Sequence, residues 1–244
     1  MDRVGAAIPL DVAESLLNWW NEAGVDVMVD ESPRNWLRPR KIEPAIVEPV
    51  PDSRLARVQP DAFPDQLDLF QAYLRESDAL PFATPSSPRV CPAGDPASGL
   101  MIMTDMPALE DCGAGTLISG DAGRLFDRML SAIGKSRETV YLASLSCIRS
   151  PDGLLSSDAG KCATLARHHI GLVAPKALLI FGDECSKALT GLSVMQARGR
   201  WHDIQTHAGA IKAIVTFSPS FLLDQPAAKP RAWADLQMLM QGYS

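Results

Sequence analysis

Apolar residues recur along this chain at two different periods, and the change from one to the other divides it. From Leu10 to Ala23, Val12, Leu16, Leu17, Trp19 and Trp20 fall at helical spacing and predict an amphipathic helix, followed by the turn Gly24–Val25–Asp26–Val27. Residues 32–64 hold Pro33, Pro39, Pro44, Pro49, Pro51, Pro60 and Pro64, which exclude long regular structure and predict a linker or wrapping arm. A second helix is predicted over Pro64–Glu76, with Leu67, Leu69, Phe70, Tyr73 and Leu74 as its apolar face, and a Pro/Ser loop over 81–98 follows.

From Gly99 short apolar runs alternate with longer amphipathic ones, the pattern of βαβ units and a mostly parallel sheet. Buried strands are predicted at Leu100–Thr104, Val140–Ser144, Ala177–Phe181 and Ala213–Phe217. Helices are predicted near Gly120–Ile133, Ser156–Leu172, Glu184–Leu189 and Arg231–Gln241. The expected organisation is an α/β domain over 76–244, with residues 1–75 forming a helix, a Pro-rich arm and a second helix packed on it. Ligands of such sheets bind beyond the carboxyl ends of the strands, so chemistry is sought in 105–120, 145–153, 182–183 and 218–224.

Composition narrows the class. A hydrophobic content of 46% over 244 residues suits a globular core, and no apolar run is long enough to span a membrane. The acidic start does not read as a signal peptide, so a cytoplasmic location without membrane contact is expected. Five scattered cysteines, without a CxxC pair, make a disulfide framework or a zinc site improbable. The net charge of −6 is unevenly placed: residues 1–123 hold 9 basic and 20 acidic side chains, residues 124–244 hold 14 and 9. A basic half can meet phosphate locally even in an acidic protein, because charge is screened over about 10 Å.

The run Gly120–Asp121–Ala122–Gly123–Arg124–Leu125–Phe126–Asp127–Arg128–Met129–Leu130, then Ile133–Gly134 and Arg137–Glu138–Thr139–Val140–Tyr141, resembles the "GxAGxLLDRML…IG…RExVY" stretch of family 4 uracil-DNA glycosylases, the iron-sulfur branch. Cys147–Ile148–Arg149–Ser150–Pro151 is similar to "KCRPP", Pro175–Gly182 to "PKxIxxxG", Arg198–Gly199–Arg200–Trp201 to "RGxW", and Thr216–Leu223 to "TYHPAYLL". Trp233–Gln237 resembles part of the terminal helix. The resemblance covers about residues 76–240 in order. It implies a three-layer α/β/α sandwich around a central four-stranded, mostly parallel sheet, and excision of uracil or a related deaminated base from DNA in base excision repair.

Such a glycosylase extrudes a nucleotide, holds the base edge, and stabilises a cationic sugar and a departing base anion. The family's "GEAPG" corresponds here to Thr104–Asp105–Met106–Pro107–Ala108, so Asp105 stands where a glutamate positions water or offsets sugar charge, with Met106 beside the base. Asp105 equally reads as a turn or helix-capping residue at a strand end. Ser218 stands where the family has the histidine that stabilises the leaving anion, and a loop serine is its other reading. Ile118 replaces the base-stacking aromatic, and Ser144 the asparagine that reads the uracil edge. Phe221, Leu222 and Leu223 either wedge into the gap left by the base or pack in the core, while Arg149 and Arg200 are candidate DNA contacts and Asp224 opposes phosphate. His202 and His207 are candidate substitutes for the missing histidine; His168 and His169 read as helix residues.

The family's 4Fe–4S cluster uses an upstream CxxC together with the positions of Cys147 and Cys162. Around Ser77–Asp78–Ala79–Leu80 there is no cysteine, and neither Cys91 nor Cys112 falls at the family spacing, so no cluster, metal or other cofactor is expected. Two functions remain. One is a glycosylase with weakened or altered activity; the other is a catalytically inactive module that binds DNA or a protein partner through the same face. A nucleotide-cofactor enzyme is disfavoured, because no GxGxxG or P-loop follows any strand. Nothing in the sequence gives an oligomeric state.

Overall fold

Strands form here because single residues alternate between two buried faces. The computed structural model describes residues 63–84, 86–150 and 156–243, without the side chains of 156, 157 and 243. The predicted helix at Leu10–Ala23 and nearly all of the Pro-rich arm lie outside the described residues. The elements run α1 (Leu67–Glu76), β1 (Ala93–Gly94), β2 (Leu100–Thr104), α2 (Leu109–Ala114), α3 (Gly120–Ala132), β3 (Tyr141–Ser144), α4 (Ser156–Val173) and β4 (Ala177–Phe181). They continue with α5 (Asp183–Thr190), α6 (Val194–Ala197), β5 (Trp201–Thr206), β6 (Gly209–Thr216), α7 (Pro219–Asp224) and α8 (Lys229–Tyr243).

The sheet order is β1-β3-β2-β4-β6-β5, in which β3, β2, β4 and β6 are mutually parallel and the two edge strands are antiparallel. Met101, Met103, Tyr141, Ala143, Leu178, Ile180, Ala213 and Val215 point to one face, where Cys162, Ala166 and Ile170 of α4 and Cys185 and Leu189 of α5 cover them. Leu100, Ile102, Leu142, Leu179, Phe181 and Ile214 point to the other, under Phe126 and Leu130 of α3 and Leu236 and Leu239 of α8. Helices on both faces make the three expected layers. The predicted four-stranded sheet is its parallel centre; the sheet itself has six strands. The edge strand β5 shows only Ile204 buried among polar residues, and it turns into β6 through Thr206, whose Oγ1 donates to the Gly209 carbonyl at 2.7 Å, and through Gly209 at φ 117°.

A smaller apolar cluster seats α1 on the domain: Phe70 and Leu74 pack with Leu80, Cys147, Ile148 and Leu165. Beside it, Gln71 Nε2 donates to Tyr141 Oη at 2.8 Å, and Tyr141 Oη lies 2.9 Å from His169 Nε2. With the tyrosine oxygen accepting from Gln71, its hydrogen goes to an unprotonated His169 nitrogen. Burial pushes His169 down to about 3, and nearby His168 adds to the fall. The unfolded chain therefore takes up a proton near pH 6.5 that the folded chain refuses until about 3, so stability falls as pH drops through that window. His169 is expected to withdraw about 2 kcal/mol between pH 7 and pH 5. Urea unfolding of wild type and His169→Gln at both pH values checks this: the variant should lack that part of the slope, and equal slopes would refute it.

Candidate functional site

The register of the parallel strands brings their carboxyl ends level. A cavity of about 540 Å³ opens there, lined by the β2–α2 loop, the start of α3, Arg149, and the start of α7. Asp105, Met106, Ile118, Arg149 and Ser218 all line it, so five residues chosen from sequence meet in one place.

Asp105 is the first residue past β2, and in the β2–β4 register it stands opposite Gly182, the first past β4. Gly182 is at φ 94°, and a Cβ there would overlap the Asp105 carboxylate; only glycine admits this approach. Asp105 Oδ1 accepts the backbone N–H of Cys185 in the first turn of α5 at 2.6 Å. Asp105 is thus a cap for a helix on the neighbouring strand, satisfying one of its orphan donors. Burial pushes its carboxyl up to about 7; the Cys185 N–H opposes the rise, and Glu184 and Asp183 add to it.

Ile118 is held by an elaborate clamp. It is buried in the left-handed region at φ 53°, a conformation that costs a β-branched residue about 1–3 kcal/mol. Arg137 Nη1 and Nη2 donate to the Leu117 and Ile118 carbonyls at 2.8 and 2.7 Å, while its Nε donates to Asp127 at 2.6 Å. Gly123 leaves room for this, since a Cβ there would press on the Ile118 oxygen. On the other side, Asp111 accepts from Ala108 N at 2.9 Å, Ser119 N at 2.7 Å and Ser119 Oγ at 2.6 Å. Sequence reasoning missed Asp111 and Arg137 as organisers of this wall. The available signal for Asp111 was an acidic side chain three residues after the helix entry, half of a capping box.

Ser218 is the N-cap of α7: its Oγ accepts from Phe221 N at 3.3 Å and lies 3.1 Å from Ser220 Oγ. Leu222 corrects the sequence reading: at 1% exposure it packs in the core, because α7 turns that face inward, and it does not face DNA. Phe221 and Leu223 remain exposed, Phe221 stacked on Phe217 with centroids 5.0 Å apart. Behind them a buried network fixes the turn: Arg198 donates from Nε and Nη2 to Asp235 at 3.2 and 3.0 Å, and Thr216 Oγ1 donates to Asp235 at 2.8 Å.

Other expected residues stand apart. Ser144 is in register with Thr104 at the end of β3, half-buried and not on the cavity wall. Arg200 is exposed at the sheet edge, donating to the Gln196 carbonyl, also away from the cavity. Neither histidine replaces the missing one: the His202 ring is 2.7 Å from the Ala197 carbonyl, and His207 stacks with His168 beyond the opposite end of the sheet. Arg149 is exposed and donates to the Pro107 carbonyl at 3.2 Å. Among the cavity-lining residues it is the one cation, against the carboxylates of Asp105, Glu110, Asp111, Asp121 and Asp224. Among the described residues no helix is long and apolar enough to cross a membrane.

Residues 91–237 match the family model described as the uracil DNA glycosylase superfamily. The chain is similar to a type-4 uracil-DNA glycosylase of Pyrobaculum aerophilum, 24% identical over 157 residues that cover 61% of this chain and 80% of that one. A type-4 uracil-DNA glycosylase of Archaeoglobus fulgidus is 19% identical over 154 residues, covering 60% of this chain and 77% of that relative.

Proposed function

Since the chain belongs to the uracil-DNA glycosylase superfamily, we propose that it excises uracil or a related deaminated base from DNA, at a reduced rate, using Asp105 and Ser218. The carrying observation is that both side chains line one open cavity at the carboxyl ends of β2 and β6. An extruded base would lie against Ile118 and Met106, apolar contact replacing aromatic stacking worth roughly 1–3 kcal/mol. Ser218 uses a lone pair on the Phe221 N–H. Its hydroxyl hydrogen remains to donate to the departing base anion. Ionised Asp105 opposes the positive charge that develops on the sugar as the glycosidic bond breaks. Arg149 and Phe221 at the rim are the proposed DNA contacts, one to phosphate and one as an apolar wedge.

Catalysis needs Asp105 as an anion, and its carboxyl sits at about 7. The rate of abasic-site formation in uracil-containing single- and double-stranded oligonucleotides should therefore rise about tenfold between pH 6 and pH 8. No product at stoichiometric enzyme would sink the enzymatic reading.

A second reading, a non-catalytic module binding DNA or a protein partner, is favoured by two observations. Asp105 and Ser218 both act as helix caps, and the cavity wall is dominated by carboxylates that repel phosphate. Oligonucleotide binding without product, measured by fluorescence anisotropy, would select it.

A further inference from the structure

The corner where the family resemblance implies an iron-sulfur cluster is built of groups that do not fit one. The two matching thiols are buried, and the space beside them, walled by Leu80, Pro81, Leu145 and Leu165, is a cavity of about 10 Å³, room for roughly one water. Cys147 Sγ donates to the Leu74 carbonyl at 3.4 Å and belongs to the apolar cluster with Phe70, Leu74, Leu80, Ile148 and Leu165. Burial pushes the Cys147 thiol up to about 11, with Cys91 adding to the rise, and the Cys162 thiol up to about 12. A cluster binds thiolates, and it wants four.

A guanidinium occupies the junction instead. Arg89, with a side chain 13% exposed, donates from Nη1 to the Ser77 carbonyl at 2.7 Å and the Leu74 carbonyl at 3.4 Å, and from Nη2 to Asp78 at 3.2 Å. These carbonyls are at the end of α1, where a cation also meets the negative end of the helix dipole. The backbone of the same residue bridges Ile148, and the next amide, Val90 N–H, donates to the Cys147 carbonyl at 2.9 Å. One residue thereby ties α1 and the 77–80 loop to the segment that ends at Arg149 on the cavity rim.

We propose that Arg89 and the apolar plug of Phe70, Leu74 and Leu80 hold this corner in place of an iron-sulfur cluster, and that Arg89 is a positioning residue for Arg149. The proposal rests on the family assignment and not on catalysis, so it stands or falls separately from the proposed activity. A cluster would join the cysteine-bearing segments through metal; here hydrogen bonds to helix-end carbonyls and buried side chains join the same segments.

Two measurements test it. The full chain, produced with ample iron and purified anaerobically, should carry far less than one iron per chain and no thiolate-to-iron absorbance. Approximately four irons per chain would overturn it. Native-state hydrogen exchange should then show Arg89→Ala accelerating the amides of Val90 and residues 145–150 by about tenfold or more, with β2 and β4 unchanged. Asp78→Ala, which removes only the exposed ion pair, should leave those amides as in wild type. Unchanged exchange in Arg89→Ala, or a uniform acceleration across the domain, would refute the positioning role.

Discussion

Asp105→Asn is expected to make the protein more stable and less active at once. Ordinary aspartate loses its proton near 3.8, but burial holds Asp105 in its neutral form until about 7. The folded state therefore keeps a proton that the unfolded chain gives up, so stability is full below 3.8, is lost as pH rises to about 7, and is flat above. Asparagine carries no such liability, and its Oδ1 still accepts the Cys185 N–H. The stabilisation should be small at pH 4 and reach about 3 kcal/mol at pH 8, after allowance for solvent contact at the cavity mouth. The sign is opposite to that of His169 over nearly the same pH range, so only the variants separate the two. Turnover should fall about 100-fold, since the charge that offsets the sugar cation is gone. Urea unfolding at both pH values and abasic-site assays read the two effects. A variant with unchanged turnover would reduce Asp105 to a helix cap, and one without added stability would contradict its burial.

This coupling explains why the site was legible in part. Strand centres and long helices announce themselves through apolar periodicity, so β2, the β4 core and α3 stand where the sequence puts them. The hairpin of β5 and β6 was missed on its outer arm because Trp201–Thr206 buries only Ile204; an edge strand wetted on both faces has no alternation to read. Short helices such as α2 and α7 are fixed by caps and tertiary contacts more than by their own pattern, and six residues cannot display a helical stripe. Motif spacing located Asp105, Ile118 and Ser218 because chain order alone specifies strand ends. It could not reveal Arg137 beneath the Ile118 carbonyls or Arg89 on α1, since those bonds join segments 19 and 12 residues apart in sequence. Leu222 is instructive: its neighbours are exposed, and only the helical turn of α7 decides which of three successive apolar residues faces inward.

Ser218→His carries the strongest test of whether the cavity is a catalytic site. Ser218 stands where the resemblance implies a histidine, and its hydroxyl donates one neutral hydrogen bond. Loss of a well-placed donor at a developing anion typically costs about 100- to 1,000-fold, so an imidazole should restore activity by that order. The substitution removes the N-cap of α7 and is expected to cost about 1 kcal/mol of stability. The stacked Phe217–Phe221 pair and the Arg198–Asp235–Thr216 network hold the turn independently of that cap, so the backbone should keep its place. The electrostatic balance also permits the new ring: α7's N-terminus disfavours an imidazolium, while Asp105 and Asp224 on the cavity wall favour one. Either protonation state retains an N–H to donate. The gain must depend on Asp105, because a better anion stabiliser is of little use if the sugar cation has no counter-charge. In the double variant with Asp105→Asn the increase should therefore largely vanish. Single-turnover excision from a uracil oligonucleotide at pH 8 measures all four proteins. If Ser218→His folds and still forms no abasic sites, the missing histidine is not what limits this cavity, and the non-catalytic reading takes precedence.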